Sequence, residues 1–153
     1  MTVGALQTWN GNATVTDSGS KLTVSLPGTW NGNASVSAGT MTLALDGTWT
    51  GDAAVSNAGR MDVALNGTWN GSASAASASV MTIDVSGAWT GDASTEDAGS
   101  SMTITDAGTW SGNAAAASGS EMTIDVSGAW TGDAKASDSG TTLTITDSGV
   151  WNG

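Results

Sequence analysis

One short segment recurs along the whole chain, and every copy places a tryptophan at the same point. The copies include GTWNGNASV at residues 28–36, GTWTGDAAV at 47–55 and GAWTGDAST at 87–95. Self-similarity at an interval of 19 to 21 residues is typical of stacked repeat architectures, in which neighbouring repeats bury a shared core. The eight tryptophans, which are all of the aromatic residues, are Trp9, Trp30, Trp49, Trp69, Trp89, Trp110, Trp130 and Trp151.

A second apolar position precedes each tryptophan by eight residues and holds methionine or leucine, and an aliphatic residue follows it two residues later. Every second residue after it is in turn aliphatic, glycine, tryptophan, glycine and alanine. The residues between these are mostly Thr, Ser, Asn and Asp. This alternation indicates β-strands with one buried face. Together with the tryptophans, the predicted core ladder contains Met41, Met61, Met81, Met102, Met122, Ile83, Ile104, Ile124 and Ile145.

Each repeat is predicted to hold two strands, such as MTIDV from Met81 and AWTGDAS from Ala88, joined by glycine-containing turns. The turns also suit an antiparallel hairpin. A two-residue hairpin would place Trp49 on the opposite face from Leu43 and Leu45, whereas a solenoid corner keeps all three inward. The pattern therefore favours the solenoid.

The resulting prediction is an all-β fold, one domain over residues 1–153. It is an uncapped parallel β-solenoid of about seven to eight two-strand coils with a repeat of about 20 residues. In-register stacking would place two sheets face to face and form a column of indole rings. The alternative for the tryptophans is an outward-facing platform that binds sugar.

The composition excludes most catalytic chemistry, since the chain has no His and no Cys. We therefore expect no enzyme activity, no catalytic residues, no metal site and no cofactor. Carboxylates alone could support glycoside hydrolysis or calcium binding, but they show no distinctive pair and no calcium-binding nonapeptide. A net charge of −11 disfavours nucleic acid and anionic membranes as partners, and no apolar run is long enough for membrane insertion.

Acidic residues alternate with neutral ones along the predicted ladders of the later repeats. The series Asp84, Thr105, Asp125 and Thr146 is one example, and Asp92, Asn113 and Asp133 form another. Alternation doubles the distance between like charges and so reduces their repulsion. Two further carboxylates, Asp106 and Asp147, fall on the inward parity, and we interpret them as caps of the turns at Gly108 and Gly149.

Both ends of the sequence fall within the repeat. The first and last coils are therefore expected to present unpaired strand edges and an apolar surface that fits another coil. The predicted partner is a second copy of the chain, giving an end-to-end homopolymer. The residues predicted at these assembly ends are Met1, Val3, Trp9, Leu143, Ile145 and Trp151.

The segments SGSEMTIDVSGAWTGDA (118–134) and GSSMTITDAGTWSGNAA (99–115) resemble the repeats of the curlin family, the subunits of curli. The matching residues are the serines Ser20, Ser79, Ser100 and Ser120, the glycine position from Gly28 through Gly149, and Asn10, Asn31, Asn70 and Asn152. Both glutamines of the curlin pattern are replaced, and the tryptophan column is not part of it. The resemblance implies a secreted, extracellular functional amyloid of the biofilm matrix, with nucleator and export partners.

Two other functions remain open from the sequence. An ice-binding solenoid would use outward rows of Thr and Asn, although Asp residues such as Asp52 and Asp92 are expected to interrupt those faces. A fragment of a long adhesin or phage fibre would also lack caps. The outward rows comprise Thr8, Thr29, Thr48, Thr68, Asn10, Asn31, Thr50, Asn70, Thr103 and Thr105.

Overall fold

A computed structural model describes residues 2–4 and 8–153 of the chain, and it shows three short strands in each repeat. The first four coils contain β1 (Thr2–Gly4), β2 (Thr8–Asn10), β3 (Ala13–Val15), β4 (Lys21–Leu26), β5 (Thr29–Asn31), β6 (Ala34–Ser37), β7 (Thr40–Leu45), β8 (Thr48–Thr50), β9 (Ala53–Ser56), β10 (Arg60–Leu65), β11 (Thr68–Asn70) and β12 (Ala73–Ala75). The later coils contain β13 (Val80–Val85), β14 (Ala88–Thr90), β15 (Ala93–Thr95), β16 (Ser101–Asp106), β17 (Thr109–Ser111), β18 (Ala114–Ala116), β19 (Glu121–Val126), β20 (Ala129–Thr131), β21 (Ala134–Ala136), β22 (Thr142–Asp147) and β23 (Val150–Asn152).

Strands from successive repeats pair in parallel, so the described chain forms a β-solenoid of seven complete coils and part of an eighth. The long strands β1, β4, β7, β10, β13, β16, β19 and β22 form one sheet in that order, which we call the long sheet. The tryptophan strands from β2 to β23 form the tryptophan sheet, and the alanine strands from β3 to β21 form the alanine sheet. The predicted solenoid is confirmed, and the antiparallel hairpin is excluded.

The prediction of two strands per coil is wrong in one respect, because the segment from Ala88 to Ser94 is not a single strand. It breaks at Gly91, where φ is +153°, and continues as a separate strand from Ala93. The inward parity of Trp89 and Ala93 is kept across this corner. Three sheets therefore line the core, instead of the two facing sheets that we expected.

The variable length of the repeat is confined to one of its three turns. The distances from the methionine or leucine position to tryptophan, and from tryptophan to alanine, are constant in all complete repeats. The turn between an alanine strand and the next long strand differs in length, as in residues 38–39 and 96–100. Insertions therefore leave the register of all three sheets unchanged.

The core follows the alternation read from the sequence. Six tryptophans from Trp30 to Trp130 are at most 1% exposed, and the ladder positions Met41, Met61, Met81, Met102, Met122, Ile83, Ile104 and Ile124 are equally buried. Ile145 is only partly buried, because it lies in the last coil. The outward-facing sugar platform is contradicted by the burial of the indole rings.

Candidate functional site

The tryptophans form one continuous stack along the axis of the solenoid. Neighbouring rings have centroids 4.5–4.9 Å apart and planes inclined by only 4–9°. This spacing matches the distance between paired strands, so the in-register ladder places each indole directly over the next. The predicted tryptophan ladder is confirmed.

Each indole from Trp30 onward also donates a hydrogen bond to the coil before it, a contact that the local sequence pattern does not indicate. The Nε1–H of Trp89 donates to the carbonyl oxygen of Gly71 at 2.8 Å, and that of Trp110 donates to Gly91 at 2.9 Å. The same bond recurs from Trp30 to Trp151, with lengths of 2.8–2.9 Å. Because every bond points in the same direction, the ladder is polar: each coil offers a donor to its predecessor and a carbonyl to its successor.

A second ladder runs along the corner between the tryptophan and alanine sheets. The side-chain oxygen of Asn33 accepts from the backbone N–H of Asp52 at 2.9 Å, and Asp52 accepts in turn from Ser72 at 2.9 Å. The series continues with Asp92 accepting from Asn113 and Asn113 from Asp133. Each acidic or amide side chain therefore fixes the next coil in place, a role that requires only the acceptor oxygen that Asp and Asn both supply.

The last coil presents an unpaired surface that we call the C-terminal edge, formed by β22 and β23 with β21 behind them. Trp151 is 39% exposed and Val150 is 55% exposed, and these are the large exposed hydrophobic residues among those described. Leu143 and Ile145 point inward and are partly buried. The three residues predicted at this end, Leu143, Ile145 and Trp151, are therefore exposed or partly exposed to a further coil.

The other end carries the complementary half of the ladder. Trp9 stacks on Trp30 and is partly buried, and its Nε1–H has no partner among the described residues. At the C-terminal edge, Gly153 occupies the position that Gly132 holds one coil earlier, where the carbonyl accepts from Trp151. The predicted end residue Met1 lies outside the described residues, as does the side chain of Val3.

Asp106 occupies a core position between Val85 and Val126 in the long sheet. Its Oδ1 accepts a hydrogen bond from the N–H of Gly108 at 3.0 Å, so the predicted turn cap is present. The side chain is fully buried, and Oδ2 has no hydrogen-bond partner. Burial raises the pKa of the Asp106 carboxyl above its usual value, and the hydrogen bond from Gly108 opposes this only in part.

Replacing Asp106 by valine is expected to stabilise the protein by about 1–3 kcal/mol at neutral pH, because it removes an unpaired buried carboxylate. The folded state holds its proton to higher pH than the unfolded state does. The gain should therefore be largest at neutral pH and should shrink as the pH falls through the raised pKa. Urea unfolding of the wild type, Asp106→Val and Asp106→Asn, measured from neutral to acidic pH, tests the prediction. A destabilised Asp106→Val at pH 7 would contradict it.

The outward face of the tryptophan sheet, which we call the uncharged face, carries two columns of small residues. Asn31 and Asn10 within it are joined by a side-chain hydrogen bond of 2.8 Å. The columns are Thr8, Thr29, Thr48, Thr68, Ala88, Thr109, Ala129 and Val150, and Asn10, Asn31, Thr50, Asn70, Thr90, Ser111, Thr131 and Asn152.

The acidic residues expected to interrupt this face lie elsewhere. Asp52, Asp92 and Asp133 are in the adjoining corner, while Asp84 and Asp125 are on the long sheet. The predicted outward residues Thr103 and Thr105 also belong to the long sheet. The acidic residues therefore do not interrupt the outward face of the tryptophan sheet, which is regular and neutral.

Buried serines lie at the corner before several long strands. In the sequence they were notable only because they match the serines of the curlin repeat. Ser79 donates to the carbonyl of Val55 at 3.0 Å, and Ser120 donates to the carbonyl of Thr95 at 3.0 Å. Their hydroxyl groups satisfy backbone atoms of the coil before. These serines are therefore structural contacts of the corner.

Within residues 2–4 and 8–153, no group of three or more acidic side chains is placed to hold a metal ion. No helix in the described part of the chain is long and apolar enough to cross a membrane. No protein-family model, curated protein or solved structure matches the chain.

Proposed function

We propose that this chain is a structural repeat protein whose copies stack end to end into a fibre. The single observation that carries the proposal is the polar indole ladder, with a donor at Trp9 that has no partner among the described residues and a carbonyl position at Gly153. A second copy that continues the ladder would place its Trp9 on Trp151, and the Nε1–H of that Trp9 would donate to the carbonyl of Gly153. Such a contact would also cover the exposed Val150 and Trp151.

The polar corner runs in the same direction as the indole ladder. Asp92 accepts from the N–H of Asn113 and Asn113 accepts from the N–H of Asp133, so each corner bond, like each indole bond, is donated by the later coil. With Trp9 of a second copy stacked on Trp151, backbone pairing and the indole bond would both require head-to-tail stacking.

Stacking is tested with a matched pair of variants on β22. Ile145→Lys places a charge on the inward side of the C-terminal edge, while Thr144→Lys places the same charge on the outward side. In electron micrographs taken at acidic pH, we expect filaments of the wild type and of Thr144→Lys, with a fibre-diffraction spacing of about 4.8 Å. Ile145→Lys should remain dispersed. Equal filament formation by the two variants would contradict the proposal.

An extracellular matrix role as a functional amyloid extends this proposal. It is supported by the resemblance of the repeats to curlin, which also implies nucleator and export partners. The solenoid itself would supply the in-register parallel strands that such a fibre needs. If the chain instead belongs to a longer adhesin or phage fibre, the same edge would be covered by further coils of one polypeptide.

Ice binding is a second candidate function, favoured by the absence of charge on the uncharged face. Its Thr, Ser and Asn side chains stand at the regular spacing of a parallel sheet above a rigid indole stack. A rigid neutral array can order water with little further loss of entropy.

This second function predicts thermal hysteresis in a solution of the wild type. Thr68→Tyr, in the middle of the uncharged face, should abolish most of it, because a bulky ring disrupts the flat array. Thr103→Tyr on the long sheet is the control and should retain it. Absence of hysteresis in the wild type, or an equal loss in both variants, would exclude this function.

A further inference from the structure

A single inward carboxylate stands on the C-terminal edge where a second copy would stack. Asp147 follows Val126 in the long sheet and ends β22, with its Oδ1 accepting from the N–H of Gly149 at 2.9 Å. It is exposed. An inward-pointing charge on an edge strand is a known means by which proteins prevent a further strand from adding.

The structure already shows the surroundings that Asp147 would acquire in a stack. Asp106 has the same turn, the same cap and the same core column, but a following coil covers it with Val126. Covered in this way, Asp106 is fully buried and its Oδ2 has no partner. Adding a coil over Asp147 would create the same buried, unpaired oxygen.

We propose that Asp147 makes end-to-end stacking dependent on proton uptake, so that copies of the chain join readily in acid and poorly at neutral pH. This inference rests on the proposed stacking function. The neutral carboxylic acid can enter the core with a modest penalty, whereas the carboxylate cannot. Each new interface would therefore take up a proton on Asp147.

No other described charge is placed to neutralise Asp147. On the strand beneath it, Glu121 and Asp125 lie on the outward parity, and Lys135 is outward on β21. The inward residues of its own coil are Leu143, Ile145 and Trp151, and Ala134 lies inward in the coil before; all four are apolar.

In an incoming copy, continuing the pairing of β1 would bring Gly4 over Thr146, the residue before Asp147. The nearest charged residues of that copy's first coils are Asp17, in an exposed turn, and Lys21, on the outward parity. Neither is positioned to pair with a carboxylate inside the core.

The sign of the pH dependence follows from the burial. Asp106 shows that burial in this column raises the pKa of the carboxyl, so the stacked state would hold a proton that the free edge releases. Stacking is then strongest in acid and weakens as the pH rises towards neutrality. One proton per interface corresponds to at most a tenfold change in dissociation constant per pH unit.

Sedimentation velocity at constant ionic strength, from pH 8 to pH 4, tests the proposal with four chains. The wild type should stack increasingly as the pH falls, while Asp147→Val and Asp147→Asn should stack at neutral pH with little pH dependence. Valine fits this position because Val126 and Val85 occupy the same column.

Asp125→Thr is the control for general charge reduction as the pH approaches the isoelectric point of about 4.1. It removes one acid from the outward side of β19, where the neighbouring strands carry Thr105 and Thr146. This variant should follow the wild type. If Asp147→Val keeps the wild-type pH profile, or Asp125→Thr loses it equally, the role of Asp147 is overturned while stacking stands. If no chain stacks at any pH, the proposed function fails as well.

Discussion

Trp89→Ala is expected to lower the free energy of unfolding by about 4–8 kcal/mol. Truncating a buried tryptophan costs about 3–5 kcal/mol. Two stacking contacts, with Trp69 and Trp110, are lost as well, at about 0.5–1.5 kcal/mol each beyond burial. The substitution also leaves the Gly71 carbonyl without its indole donor.

The loss of the Trp89 indole should weaken the solenoid mainly at that coil. In a solenoid each coil contacts mainly its neighbours, so weakening the middle coil should uncouple the halves on either side. We expect urea unfolding followed by far-ultraviolet circular dichroism to change from one transition to two.

Three further variants separate the contributions. Trp89→Phe keeps a ring in the stack but removes the N–H donor to Gly71. Its free energy of unfolding should therefore fall by less than that of Trp89→Ala. Trp151→Ala removes an indole with only one stacking neighbour and a 39% exposed ring, and should lose less still. Thr90→Ala, on the exposed side of the same strand, should change the free energy by about 0.5 kcal/mol or less. A cost below about 2 kcal/mol for Trp89→Ala would contradict the ladder as the main source of stability.

Gly91→Ala is expected to destabilise the protein by about 3–5 kcal/mol, near the top of the range for single substitutions. Its φ of +153° is a conformation that residues with a side chain rarely adopt, and strain of this kind costs about 1–3 kcal/mol. An added Cβ would also meet the carbonyl oxygen of Gly71 in the preceding coil. That carbonyl is held by the indole of Trp89, so it has little freedom to move.

Gly19→Ala is the matched control, because it isolates backbone strain from the clash. Gly19 also has a positive φ, +79°, but an added Cβ would have no atom within 4 Å. Gly19→Ala should therefore lower the free energy of unfolding only by the energy of the backbone strain. Thermal and urea unfolding of both variants compare the two contributions, and equal losses would show that close approach between coils is unimportant at the corner.

Much of the fold could be read from the residues one repeat at a time. The parity that places Met81, Ile83, Val85 and Trp89 on one side depends on local alternation, and the constant offset from methionine to tryptophan fixes the register. Once identical repeats stack in parallel, an indole column follows without further information. The turn caps at Asp106 and Asp147 were likewise predictable, since an acidic side chain two residues before a glycine N–H forms a local contact.

Other features depend on what a neighbouring coil does, and no local pattern contains that information. A glycine between two inward residues is compatible with a straight strand or with a corner. At Gly91 the choice is made by packing of its backbone against Gly71 and by the indole bond to that carbonyl. The third sheet, the neutrality of the tryptophan face and the isolation of the Asp106 carboxyl all follow from that corner and from stacking. The sequence by itself determined which residues face inward, whereas the tertiary structure decided where the chain turns, because the turn depends on contacts about 20 residues apart.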